Sequence, residues 1–231
     1  MTKAKAPVRS TPVQTRDADL PVAWQGRPWA PLTITAVLVL AVIASGVLVE
    51  RALQPPAPGA LAGCVTSTQV GPRQYLGPQP MCISATSKYV ATINTTQGPI
   101  VVQLHPEIAP VTVNNFIVLA THGYYDGLTF WKSEDWVVQS GDPRGNGTGG
   151  PGYDLPDEPN SSPPWGLAAV GMARAPGGAV NGSQFFIEKG AWPGSGPTAI
   201  YNRFGTVISG MDKVQLLQVT DTITSITIKV A

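Results

Sequence analysis

The chain has 231 residues, 43% hydrophobic and 13% charged, with a formal net charge of +1. That length suits one sizeable domain with additional segments. Of the 15 basic and 14 acidic residues, five (Lys3, Lys5, Arg9, Arg16, Arg27) and two (Asp17, Asp19) fall in residues 1–31, so the remainder is slightly acidic; this argues against a nucleic-acid-binding surface.

Residues 1–31 read as a short basic tail. From Leu32 to Val49 no residue is charged, and a helix over that run would be about 27 Å long, close to the hydrocarbon thickness of a bilayer. Trp24 and Trp29 stand before it and Glu50-Arg51 close it, so residues 32–50 are expected to form one transmembrane helix. The excess of basic residues on its N-terminal side predicts a single-pass cell-membrane protein with a cytoplasmic N-terminus and an extracytoplasmic C-terminal bulk. The alternative is a cleaved signal peptide, for which a basic tail of this length is unusual and no small-x-small site follows directly.

Residues 51–87 are rich in Pro, Gly, Ala, Ser and Gln and read as an extracytoplasmic linker, irregular and partly extended. It holds both cysteines, Cys64 and Cys82, and an even count outside the cytoplasm permits a disulfide. Leu61-Ala62-Gly63-Cys64 also resembles a bacterial lipobox, although a lipobox normally abuts the apolar run and here 14 residues separate Cys64 from it; lipidation of Cys64 stays open as the alternative.

Residues 88–231 read as the folded domain. Tyr89–Asn94 alternates and is β-branched, Thr95–Gly98 turns, and Pro99–Leu104 returns, which predicts a hairpin. Ala109-Pro110 opens a helix, with Val113, Phe116, Ile117 and Ala120 at helical spacing and Gly123 at its end. His105 and His122 have no nucleophile or carboxylate pattern around them and read as surface or cap residues. Around residue 130 a short strand, a charged bend and a second strand follow one another. Gly145–Gly150 matches G-x-G-x-x-G, but Pro151 and Gly152 forbid the helix a dinucleotide loop requires, so this is a glycine-rich surface loop. Asn181-Gly182-Ser183-Gln184-Phe185-Phe186-Ile187 reads as a loop becoming a strand. Strand alternation puts Gln184 and Phe186 on one face and Phe185 and Ile187 on the other.

Residues 88–218 resemble a cyclophilin, a peptidyl-prolyl cis-trans isomerase of the bacterial type. The resemblance rests on motifs in the family's order: Ala109–Phe116, Tyr125–Phe130, Gln139-Ser140-Gly141-Asp142-Pro143 with its glycine loop, Gly171-Met172-Ala173-Arg174-Ala175, Asn181–Ile187 and Phe204-Gly205-Thr206-Val207. It implies a mainly β fold: a closed, eight-stranded antiparallel barrel capped by two helices, the second over Gly210–Leu217, with a last strand in Thr222–Val230. It also implies rotation about X-Pro bonds of polypeptides, with no cofactor and no metal.

An X-Pro amide has a rotation barrier of about 18–20 kcal/mol. A catalyst must favour the twisted state, in which the proline nitrogen accepts a hydrogen bond. By the resemblance, Lys132 takes the place of the family's donor arginine, with Gln139 and Gln184 as the polar groups that hold the substrate backbone. Trp136 and Val137 replace the pocket phenylalanine and methionine. Ala173 and Arg174 stand where alanine and asparagine bond the substrate, and Phe186, Trp192 and Tyr201 complete the groove. Lysine is a point charge where the family has a planar fork, and Glu134 or Asp135 are placed to draw it away. Arg174 adds a charge to the groove, and Pro193–Pro197 reads as a lengthened rim loop. The expected function is an isomerase assisting the folding of extracytoplasmic chains, as a monomer. The alternative is a catalytically weak or inactive module of the same fold that binds proline-containing peptides.

Overall fold

The computed structural model describes residues 61–158, 163–193 and 201–231. The basic tail 1–31, the apolar run 32–50 and most of the lengthened loop at Pro193–Pro197 lie outside them. Among the described residues no helix is long and apolar enough to cross a membrane.

The strands are β1 (Gln69–Gly71), β2 (Gln74–Tyr75), β3 (Tyr89–Thr95), β4 (Gly98–Leu104), β5 (Lys132–Ser133), β6 (Val137–Ser140), β7 (Asp154–Leu155), β8 (Ala169–Arg174), β9 (Val180–Glu188), β10 (Arg203–Ser209) and β11 (Ile223–Val230). Helix α1 spans Pro110–Thr121 and α2 spans Met211–Leu216. The fold is mainly β, and nine strands form one sheet in the order β11-β3-β4-β10-β8-β9-β6-β5, with β7 added on β9. Every pairing in it is antiparallel.

The expected closed, eight-stranded barrel is corrected on two counts. Among the described residues the sheet has nine strands, and its ends, β11 and β5, share no ladder. The sheet is curled, and residues 127–130 bridge its free ends. Gly127 N and Phe130 N donate to Ile223 O and Asp221 O at 2.7 and 2.8 Å, and Thr129 and Thr222 form a single β-bridge. Closure by a ladder fails because β5 is only two residues long.

Alternation drives the sheet inward. In β3, Tyr89, Ala91, Ile93 and Thr95 are buried while the residues between them are not; in β4 the same holds for Ile100, Val102 and Leu104. Helix α1 is buried along most of its length, from Thr112 to Ala120, as expected of a helix that plugs a curled sheet. Its Phe116 packs against Phe204, Tyr125 and Phe185, at centroid distances of 5.1, 5.2 and 5.8 Å. No side chain of its own caps the helix. Instead Glu158 accepts hydrogen bonds from the backbone N–H of Val111 and Thr112 at 2.9 and 2.8 Å, meeting the free amides and positive end of the dipole. Asn115, buried on the same helix, donates to Gly182 O at 2.7 Å and ties it to the start of β9. Gly210 starts α2 in the left-handed region at φ 87°, where a Cβ would stand 2.5 Å from Pro99 O.

Residues 61–87, read from composition as linker, are part of the folded unit from Leu61 onward. β1 and β2 pair, Tyr75 joins the main core, and Cys64 and Cys82 form a disulfide with Cα atoms 5.1 Å apart. Composition misled because this strap binds through backbone groups and a few side chains rather than through a periodic apolar face.

Candidate active site

Pairing register aligns the site. Lys132 of β5 lies opposite Gln139 of β6, Gln139 opposite Phe186 of β9, and Phe186 opposite Gly171 of β8. Residues directly opposite on antiparallel strands share a face. A cation, an amide and an aromatic ring therefore run in one row across three strands, on the side away from the core. Val138, Phe185 and Ile187 point the other way, into the main core.

The row lines a cleft of about 390 Å³. All ten residues predicted for the site line it: Lys132, Trp136, Val137, Gln139, Ala173, Arg174, Gln184, Phe186, Trp192 and Tyr201. Its floor is an apolar cluster of Val137, Ala173 and Phe186. Around Phe186 the rings of Tyr201 and Trp192 stand edge-on, at centroid distances of 5.5 and 6.0 Å, and Trp136 meets Trp192 at 4.6 Å. Such a ring-walled pocket suits a pyrrolidine ring.

Trp165 was not anticipated. It stacks on Phe186 at 5.6 Å with an interplanar angle of 21° and also meets Trp192 and Tyr201. The space comes from Gly171, where a Cβ would stand 2.6 Å from the Trp165 ring and 2.7 Å from that of Phe186. The available signal was a tryptophan in a Pro/Gly-rich loop together with a glycine in a strand, which marks close approach.

The two glutamines act as a pair. Gln139 Nε2 donates to Gln184 Oε1 at 3.0 Å. Gln184, buried, donates to Gly149 O and Gly147 O at 2.7 and 3.1 Å. The glycine-rich loop thus serves the groove: its carbonyls orient an amide. Asp142 shapes its other side, accepting from Arg144 N, Asn146 N and Gly147 N. His105 bonds Thr206 and His122 bonds Val118 O; neither lines the cleft.

Two charged residues are engaged. Lys132 Nζ lies 3.2 Å from Glu134 Oε1 and 5.7 Å from the Trp136 ring centroid, as the nearby acidic residues suggested. Arg174 pairs with Asp157, which draws its charge toward the loop beyond β7. On the same face of β9 as Phe186, fully buried Glu188 lies near Arg203; burial raises the Glu188 pKa to about 7, with the Gly166 N–H and the Arg203 charge opposing. Among the described residues no three His, Cys, Asp or Glu side chains are placed to hold a metal ion.

The cyclophilin-type peptidyl-prolyl cis-trans isomerase/CLD family model matches residues 90–230. Peptidyl-prolyl cis-trans isomerase B of Bacillus subtilis is 45% identical over 112 residues, 48% of this chain and 76% of that protein. A peptidyl-prolyl cis-trans isomerase of Synechococcus elongatus is 45% identical over 98 residues, 42% of this chain and 66% of that one. A cyclophilin-type isomerase of Cryptosporidium parvum, crystallised in the presence of the dipeptide Ala-Pro, superimposes with a TM-score of 0.55 at 28% identity, covering 61% of this chain and 98% of that chain. The family model covers more than half of the chain, and the chain belongs to the cyclophilin-type peptidyl-prolyl cis-trans isomerases.

Proposed function

We propose that this protein isomerises X-Pro bonds of extracytoplasmic polypeptides from a single-pass membrane anchor, as a monomer. The observation that carries the catalytic part is the row Lys132–Gln139–Phe186. The proline ring enters the aromatic pocket around Phe186. Gln139 and Gln184 hold the flanking backbone. Lys132 donates to the proline nitrogen as it loses conjugation in the twisted state, so the interaction strengthens at the transition state. Arg174 and Ala173 face the residues beside the proline. Dipeptide Ala-Pro accompanies the related Cryptosporidium parvum structure, which supports proline-containing peptides as the substrate class here.

The location is supported by the uncharged run Leu32–Val49 and the basic residues before it.

The test uses the full-length protein in detergent micelles with an X-Pro peptide. Isomerisation above the uncatalysed rate, at least tenfold lower in Lys132→Ala, is expected on the scale of a lost transition-state donor; a rate equal to the uncatalysed one sinks the enzyme reading. The Lys132–Glu134 pairing favours a second reading, a peptide-binding module of low activity, for which binding persists without rate enhancement. Trypsin added to spheroplasts should cut after Arg51 and release the domain; a domain left protected refutes the orientation.

A further inference from the structure

The family match begins at residue 90, so the strap before it is additional to the family's fold. Its Cys64–Cys82 bond closes a loop with a sequence separation of 18, and near the middle of that loop the β1–β2 hairpin meets the glycine-rich loop. Gln74 Nε2 donates to Gly150 O at 2.7 Å. Tyr75 N donates to Pro151 O at 2.8 Å. A Cβ at Gly152 would stand 2.8 Å from Tyr75 O, so the two backbones are in contact. The strap is held on the domain by further bonds: Arg73 to Asp126 O, Gln79 Nε2 to the Tyr153 hydroxyl at 2.9 Å, and Cys82 N to Asn114 Oδ1 at 2.8 Å.

One residue before this grip, Gly149 O accepts from Gln184 Nε2 at 2.7 Å and from Asn181 Nδ2 at 3.1 Å. Gln184 in turn accepts from Gln139. A continuous series of hydrogen bonds and one short piece of backbone therefore joins the strap to the groove amides. The backbone in question is soft. Glycines at 145, 147, 149, 150 and 152 lose more freedom on ordering than any other residue, so the loop depends on external anchors. Asp142 holds it from one side and the strap from the other.

We propose that Gln74 is a positioning residue for isomerisation: through Gly150 the disulfide-closed strap fixes the carbonyls that orient Gln184 and Gln139, so that reducing Cys64–Cys82 lowers turnover. Only the kinetic part rests on the isomerase reading.

The experiment takes the full-length protein in micelles, oxidised or reduced with dithiothreitol, beside Gln74→Glu, which keeps the shape and removes the donor, and a Cys64→Ser/Cys82→Ser variant. Hydrogen exchange is followed at 145–152 and at β3–β4, and kcat and KM are measured on an X-Pro peptide. Gln74→Glu and reduction should each raise exchange at 145–152 about tenfold, with β3–β4 unchanged, as for loss of a local bond. Each should lower kcat by roughly three- to tenfold with KM within about twofold. The double serine variant should start at the reduced level and ignore dithiothreitol. Unchanged exchange at 145–152 or unchanged kcat in Gln74→Glu overturns the proposal, as does a response to dithiothreitol in the double variant. If the oxidised wild type shows no turnover, the isomerase reading fails and the exchange data alone decide whether the strap orders the loop.

Discussion

Glu134 is shared between Lys132 and Trp136: one carboxylate oxygen lies 3.2 Å from Lys132 Nζ and the other accepts the Trp136 indole N–H at 2.8 Å. The same acid holds the proposed donor and a pocket wall. Both side chains of the Lys132–Glu134 pair are partly exposed, where an ion pair contributes little to stability. Its effect is therefore on aim and charge. Glu134→Gln keeps the indole bond and frees the ammonium. It should raise kcat/KM by about two- to fivefold, the worth of a weak exposed pair. Lys132→Arg should raise it too, since a guanidinium can serve Glu134 and the substrate at once. Both gains should shrink at high salt, where the wild-type pair is itself screened. A fall in activity in both variants rules out a restraining role for Glu134.

Phe185 and Phe186 are chain neighbours with opposite roles. Phe185 is fully buried and meets Phe116 and Tyr125 edge-on, each at 5.8 Å. Phe186 walls the groove. Phe185→Ala should cost about 3–5 kcal/mol of stability, as for a core aromatic, visible as a lower thermal midpoint. Phe186→Ala should leave more of the stability and raise KM for an X-Pro peptide by about tenfold or more, on the scale of one lost apolar anchor. Equal effects of the two substitutions on KM would contradict the division of faces.

That division was legible from the sequence, because period-two alternation needs only the strand, and the ten residues named from the motifs all line the cleft. The strap was not legible. Its anchors, Gln74, Gln79 and the amide of Cys82, are polar groups whose partners lie far off in the chain, and no local pattern encodes them. Trp165 was missed for the same reason: its place depends on Gly171 and Phe186, which meet only through pairing register. The closed barrel was implied by the resemblance alone, and no local pattern marks whether a two-residue β5 pairs with the far end of the sheet.

Arg174 bears on substrate choice. Its partner Asp157 is about half exposed while Arg174 is mostly buried, so the pair presents little net charge to the groove. Asp157→Asn should leave the cation uncompensated and strengthen binding of peptides with Glu beside the proline by about two- to fivefold relative to Gln, at low salt. Titration calorimetry with a Glu/Gln peptide pair checks this. No change in the Glu-to-Gln ratio would mean that the guanidinium does not reach the substrate.

Glu188 gives the domain a pH-dependent stability. It is fully buried at the end of β9, opposite Val137, and burial lifts its pKa from 4.5 to about 7, against the opposing effects of the Gly166 N–H and Arg203. The folded state thus binds this proton more tightly than the unfolded chain. Below pH 4.5 both states are protonated and the group contributes no slope. Between 4.5 and about 7 the unfolded chain has lost the proton while the folded protein keeps it, so stability falls as pH rises; above about 7 the slope vanishes. The total is on the order of 3 kcal/mol. Arg203 stays charged throughout, so its own burial cost does not vary over this window. The thermal midpoint of the full-length protein in micelles should therefore drop from pH 5 to pH 8. In Glu188→Gln, which cannot titrate, the part of that drop lying between pH 5 and 7 should disappear, whatever the variant's absolute stability. An identical pH profile in the two proteins would show that Glu188 carries the same charge folded and unfolded.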